Sequence, residues 1–139
     1  MADITVTAAS VQIGGAGATK SEVTAGEAIT QGQSVYLKAS DNKWWKADSN
    51  ALETAGSGGV GVALTKAGAA DDKFLVQTKG SMNLGATLVP GMAYFVSNTA
   101  GGIIPAGDLS STEYTTYLGS ATSASLINLQ PHASGGLTA

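Results

Sequence analysis

Cysteine is absent from this 139-residue chain, so neither disulfides nor thiolate metal sites can staple it. Arginine is absent too: all seven basic residues are lysines, set against ten acidic residues for a net charge of -3. Nucleic-acid binders concentrate Arg and Lys because neutralising phosphates supplies most of their affinity. The nearest thing to a cluster here is Lys38, Lys43 and Lys46, and Asp41 and Asp48 offset it. A solvated hairpin face accounts for those residues, and no nucleic-acid partner is expected. No window reaches the roughly 18 consecutive apolar residues of a membrane span, and the amino terminus lacks the basic-then-apolar layout of a signal peptide. A soluble chain made in a cytoplasm, without a membrane partner, is expected.

Chemistry-bearing residues are equally sparse. The single histidine, His132, follows Pro131 close to a glycine-rich tail, where general-base geometry is hard to hold. No Gly-x-Ser-x-Gly elbow is present to pair with it. Asp71 and Asp72 stand between Ala70 and Lys73 and mark an exposed loop before a strand more simply than a cation site. The glycine-rich runs at 14–18 and 56–59 lack the Gly-Lys-Ser/Thr ending of a phosphate loop and open no helix, so they are read as connectors. The expectation is a protein with no catalytic site, no metal and no cofactor.

What the chain does have is a duplication. Residues 26–49 read GEAITQGQSVYLKASDNKWWKADS and residues 85–108 read GATLVPGMAYFVSNTAGGIIPAGD. At a constant offset of 59, Gly26 falls on Gly85, Ile29 on Leu88 and Gly32 on Gly91. Val35, Tyr36 and Leu37 fall on Tyr94, Phe95 and Val96, and the doublet Trp44-Trp45 falls on Ile103-Ile104. An apolar residue, variable polar ones, a glycine and then a β-branched and aromatic run describe a tight turn feeding a strand. In the second copy Pro90 precedes Gly91, the order of a type II turn. A polar corner and a short apolar return strand follow in each copy, so both read as hairpins.

Ala, Gly, Ser and Thr supply about half the chain, a level at which disorder must be weighed. The periodic apolar runs argue for order from 26 to 133. Strands are expected near 3–8, 10–13, 34–39, 43–46, 60–66, 73–79, 92–97, 102–105, 114–122 and 125–130, with single helical turns at 49–55 and 109–112. Many short strands with regular turn signals indicate an all-β fold, a small β-barrel or sandwich built from two similar hairpin modules. One domain spans 26–133, with internal repeats at 26–80 and 85–133. It is flanked by an extended N-terminal arm and hinge at 1–25 and a flexible tail at 134–139. The arm alternates Ile4, Val6, Val11 and Ile13 but has no large apolar residue beyond them until Val23, which suits a segment that finds its strand partners on another subunit. Adjacent strand residues point to opposite faces, so Trp44 and Trp45 cannot both enter one core, nor can Ile103 and Ile104. One of each doublet is expected to be buried and the other to face a neighbouring subunit or solvent. The candidate interface is therefore Ile4, Val6, Val11, Ile13, Trp44, Trp45, Ile103 and Ile104.

The opening MADITVT, the phrase AGEAITQGQSVYLKASDNKWWKAD, the GVGVALTKAG turn, the G-x-T-L-x-x-G-x-x-Y-x-V-S stretch with TAGGIIPAGDL, and the closing YLGSATSASLINLQPHASG carry a resemblance over nearly the whole chain. They resemble small β proteins of tailed-bacteriophage heads, among them capsid decoration, or cement, proteins. That resemblance implies a structural virion protein on the outer capsid surface, bound to the major capsid protein, commonly as a homo-trimer with terminal arms gripping adjacent subunits. A head-fibre or tail-associated adhesin domain that binds host glycans is the alternative, because Trp44 and Trp45 offer aromatic faces suited to sugar rings.

Overall fold

The computed structural model describes residues 4, 6, 11–13, 18–51, 53–56, 59–108 and 114–137. The fold is all-β: a curled antiparallel sheet forms a half-barrel, and no α-helix occurs among the described residues. The strands are β1 (Gln12–Ile13), β2 (Thr19–Thr24), β3 (Ser34–Lys38), β4 (Lys43–Lys46), β5 (Val60–Ala63), β6 (Lys73–Asn83), β7 (Ala93–Val96), β8 (Ile103–Pro105), β9 (Tyr114–Ala121) and β10 (Leu126–Leu137). Their order across the sheet is β4-β3-β5-β6-β10-β9-β7-β8, with β1 and β2 also on β6. The two hairpins thus sit at the two ends of the path. The central pair, β6 and β10, joins them in antiparallel register, from Leu126 opposite Asn83 to Leu129 opposite Gly80.

The hairpins repeat each other in detail. Val35, Tyr36 and Leu37 of β3 pair with Lys46, Trp45 and Trp44 of β4; 59 residues later Tyr94, Phe95 and Val96 of β7 pair with Pro105, Ile104 and Ile103 of β8. Each hairpin is entered through a tight turn whose glycine has φ +84°, Gly32 in one and Gly91 in the other. Both turns close with a backbone hydrogen bond, Gln33 N to Thr30 O at 3.2 Å and Met92 N to Val89 O at 2.9 Å. Both glycines donate to the strand that follows the hairpin in the chain, Gly32 N to Ala63 O and Gly91 N to Ala121 O, each at 2.8 Å. Even the corners agree, since Asn42 and Gly101, also 59 apart, have φ of 57° and 80°.

Strand alternation divides the apolar side chains between two clusters. Val35, Ala63, Phe74 and Val76 join Ala25, Ile29 and Ala67 in the smaller one, with Val23 and Trp44 against it. Tyr36, Val62 and Leu64 face the other way, into the larger cluster with Met82, Leu84, Tyr94, Val96, Leu118, Ile127 and Leu129. The strands β3, β5 and β6 are therefore buried on both faces at their centres. The sheet curls until Ala25, just after β2, bridges Trp44 of β4 in parallel, and Gly26 N donates to Trp44 O at 2.8 Å.

The far hairpin is tied back to the first through small polar groups. Ser34 Oγ donates to Gly102 O at 2.8 Å, Gly101 N to Ala47 O at 2.8 Å and Ser49 N to Ser97 O at 2.9 Å. All three serines are fully buried, and their short side chains let the two backbones approach closely enough to satisfy each other.

Three expectations are corrected. Residues 1–25 do not form a free arm among the described positions. Gln12 and Ile13 pair with Asn83 and Met82, residues 19–24 pair along β6, and Ile4 N donates to Ile103 O at 2.9 Å. The unmet backbone groups of β6 supply a partner within the same chain, so none is needed from outside. Next, Ser134, Gly135, Gly136 and Leu137 are not a loose tail but the end of β10, where Leu137 lies opposite Tyr114. Finally β6 runs to Asn83, four residues beyond its expected end, across Gly80. The buried Gln77 spans that break, its Nε2 donating to Lys79 O at 3.1 Å and Ser81 O at 2.9 Å. The strand expected at 3–8 lies outside the described residues apart from Ile4 and Val6, and the turn expected at 109–112 lies outside them entirely. At 49–55 one helical turn does form, with Ala55 N bonded to Ala51 O at 2.9 Å.

The two repeated turns give a direct test of this packing. Gly32 and Gly91 share a left-handed backbone, but a β-carbon on Gly32 would collide with Val6 and touch Val11, whereas one on Gly91 meets nothing within 4 Å. Gly91→Ala should cost about 1–2 kcal/mol from backbone strain alone, and Gly32→Ala about 1–3 kcal/mol more from overpacking. Urea unfolding of both variants measures the difference, which should shrink when Val6→Ala is introduced beside Gly32→Ala.

Candidate functional site

The eight residues expected at an interface are mostly spent inside the chain. Ile103 and Ile104 are 2% and 0% exposed, and Val11 is 6% exposed. Ile4 and Val6 are half-buried and pack against the larger cluster. Ile13 pairs with Met82 of β6 through its backbone. The expectation that one member of each doublet faces outward fails for Ile103 and Ile104, both of which are buried, because it assumed one core. Trp44 packs on the smaller cluster and Trp45 on the larger, so β4 carries apolar packing on both faces and both indoles are half-buried. Trp45 is further held by its Nε1–H donating to Asp41 Oδ2 at 3.1 Å, and Lys38 Nζ lies 4.8 Å from its ring centroid. Ile104 is the register partner of Phe95, whose ring meets Tyr117 edge-on at 5.7 Å, so the outer face of β7 and β9 carries a small aromatic layer of its own.

The ionisable residues singled out in the sequence are likewise engaged structurally. Lys43 Nζ pairs with Asp71 Oδ1 at 2.5 Å, and this hydrogen bond raises the lysine's pKa above its ordinary value. Asp72 Oδ2 accepts from Ala69 N at 3.1 Å, shaping the loop into β6. Lys46 approaches Glu27 at 3.8 Å. Burial raises the pKa of the Tyr36 hydroxyl, with smaller contributions from Glu53, Asp48, Glu27 and Asp41. His132 is exposed on β10, opposite Tyr117 of β9. Among the described residues, no group of three or more His, Asp or Glu side chains is placed to hold a metal ion.

What the structure does bring forward is a feature of the second turn that only comparison of the two copies exposes. The first turn, Thr30-Gln31-Gly32-Gln33, is polar in sequence: Thr30 is exposed, Gln31 and Gln33 are half-buried, and Gly32 is buried beneath Val6 and Val11. Ile4 and Val6 line a cleft of about 300 Å³ there, between residues 30–33 and the corner at 99–103. The second turn, Val89-Pro90-Gly91-Met92, is apolar in sequence yet open. Val89, Pro90 and Gly91 are exposed, and Val89 at 56% is the one large hydrophobic side chain so exposed among the described residues. At the equivalent exposed place the first turn carries threonine and the second valine, and it is the second that departs from ordinary surface composition. The turn is also rigid in construction, because Pro90 fixes φ and Val89 N donates to Tyr94 Oη at 3.0 Å. A preformed apolar knob loses little conformational entropy on docking. The sequence signal lay in the aligned copies, where Thr30 and Gln31 are replaced by Val89 and Pro90; the turn had been read for its shape alone.

No protein-family model, curated protein or solved structure matches the chain.

Core and surface roles separate cleanly by stability. Ile104→Ala should cost about 2–5 kcal/mol, as truncation of a fully buried aliphatic side chain does. Val89→Thr, which restores the residue found at the equivalent place in the first copy, should change stability by no more than about 0.5 kcal/mol. Chemical denaturation of the two variants checks both values.

Proposed function

We propose that this chain is a structural protein of a tailed-bacteriophage head that attaches to the outer face of the capsid as a decoration protein, with the turn at residues 89–92 as its principal contact. The resemblance of its turn and strand phrases to phage head proteins supplies the virion context. The observation that carries the docking role is that the exposed Thr30 of the first turn is replaced by an exposed Val89 at the equivalent place in the second, beside an exposed Pro90 and stiffened by the Val89–Tyr94 hydrogen bond. A lattice-binding protein requires an attachment point that survives without rearrangement, and a proline-braced knob at the entrance to β7 meets that requirement. Ile4, Val6 and Val11 belong to the body in this reading, with Val6 and Val11 against Gly32 of the first turn, and the grip expected of a terminal arm passes to the second turn. Trimer formation and the major capsid protein as partner follow from the resemblance and belong to the same proposal.

Binding to undecorated capsids of the encoding phage tests it. Val89→Asp puts a charge on an exposed position, so the fold should retain its stability while capsid affinity falls about tenfold or more, as expected for loss of a central apolar anchor. Co-sedimentation and a denaturation curve on the same preparation check the pair. Unchanged capsid binding by Val89→Asp would refute the assignment of this turn.

A further inference from the structure

A second surface feature lies away from that turn. Trp44 of β4, Gly59, Thr78 of β6, and Pro131 and His132 of β10 line an open groove of about 540 Å³. We infer that this groove is a carbohydrate subsite in which a neutral pyranose ring stacks on the Trp44 indole while Thr78 and His132 hydrogen-bond its hydroxyls. The inference is independent of the capsid role.

The chemistry of the lining selects the ligand class. Trp44 packs on the smaller apolar cluster on one side and lines the groove on the other, so its position is fixed while part of the ring stays accessible. Gly59, with φ 139°, lies beside the ring, where a β-carbon would stand 4.0 Å from Trp44 Cη2. Around this apolar floor stand polar groups with bonding capacity to spare. Neither the Trp44 indole N–H nor the His132 imidazole is hydrogen-bonded to a described residue, and Thr78 Oγ1 reaches only Thr19 O, at 3.5 Å. An aromatic platform ringed by a few convergent donors and acceptors is the composition of a site for an amphipathic ring. Among the described lining residues none is Lys, Asp or Glu, which argues for an uncharged ligand and against a single-stranded nucleic acid, whose backbone needs a basic groove. Proline-rich peptides also dock on aromatics, but they use grooves built from several rings, and Trp44 is the sole aromatic here. Trp45, the other half of the doublet, is turned to the opposite face with its N–H committed to Asp41, so the site uses one indole of the two.

The full-length protein, labelled with nitrogen-15, should be titrated with cellohexaose and with chitohexaose, whose equatorial hydroxyls leave flat apolar ring faces, and separately with an oligoproline peptide. The expected result is a saturable shift of the Trp44 indole resonance with at least one of the two saccharides, with Kd on the order of 1 mM, and little movement of the Trp45 indole. His132→Ala should weaken that binding several-fold without moving the melting temperature, and Trp44→Phe should weaken it further while keeping a ring against the smaller cluster. If Trp44→Phe does not fold, the wild-type indole shift and His132→Ala decide the matter. The proposal is overturned if the Trp44 indole is unmoved by both saccharides, if it responds to the peptide and to neither sugar, or if His132→Ala binds as tightly as the parent.

Discussion

A strand buried on both faces must offer apolar side chains at every position, and that condition governs the middle of this molecule. In β3, β5 and β6 successive residues feed opposite clusters, Val35 against Tyr36, Ala63 against Val62 and Leu64, Phe74 and Val76 against Leu75. Near-continuous apolar runs are the expected signature of such strands. The curl that brings Ala25 to Trp44 creates the second cluster, and without it one set of these side chains would face water. Everything further out depends on this double burial. It holds Trp44 and Trp45 in place from opposite sides, and it gives the flanking turns and corners a rigid base.

The duplication explains the regularity, and the departures from it point to function. Equivalent turns, equivalent corner conformations and an equivalent hairpin register show two copies folding by the same local rules. The N-terminal residues break the equivalence. They exist once, lie across the first turn, and leave the second without a counterpart. In the polar first turn Gly32 is buried and Thr30 exposed, whereas in the apolar second Val89, Pro90 and Gly91 are all exposed. Exposed apolar side chains standing singly are ordinary; the informative fact here is the contrast with an internal twin that has the same backbone.

Much of the fold was legible in the sequence because its hairpins obey local chemistry. The runs at 34–38 and 93–96 are β-branched and aromatic, each preceded by a glycine that must adopt positive φ, and their return strands follow a polar corner. The strand Thr19–Thr24 was not legible, since TKSEVT has no large apolar residue before Val23 and is held by backbone pairing to β6. The same holds for the end of β10, where Ala133 and Leu137 pair with Thr116 and Tyr114 of β9 on either side of Ser134, Gly135 and Gly136, although the composition there reads as a tail. The interface was misread for a different reason. Alternation showed correctly that Trp44 and Trp45, or Ile103 and Ile104, face opposite ways, but whether the second face is dry depends on how far the sheet curls, and no local pattern encodes that.

The most direct test compares two hydrogen bonds of identical geometry. Gly32 N to Ala63 O and Gly91 N to Ala121 O are both 2.8 Å long, in turns of the same type, and differ in what lies above them. Native-state amide exchange of the free protein reads that difference residue by residue. The account predicts slow exchange at Gly32 and much faster exchange at Gly91, with Gly91 becoming protected when the protein is bound to capsids. Equal protection of the two amides in the free protein, or no change at Gly91 on binding, would contradict it.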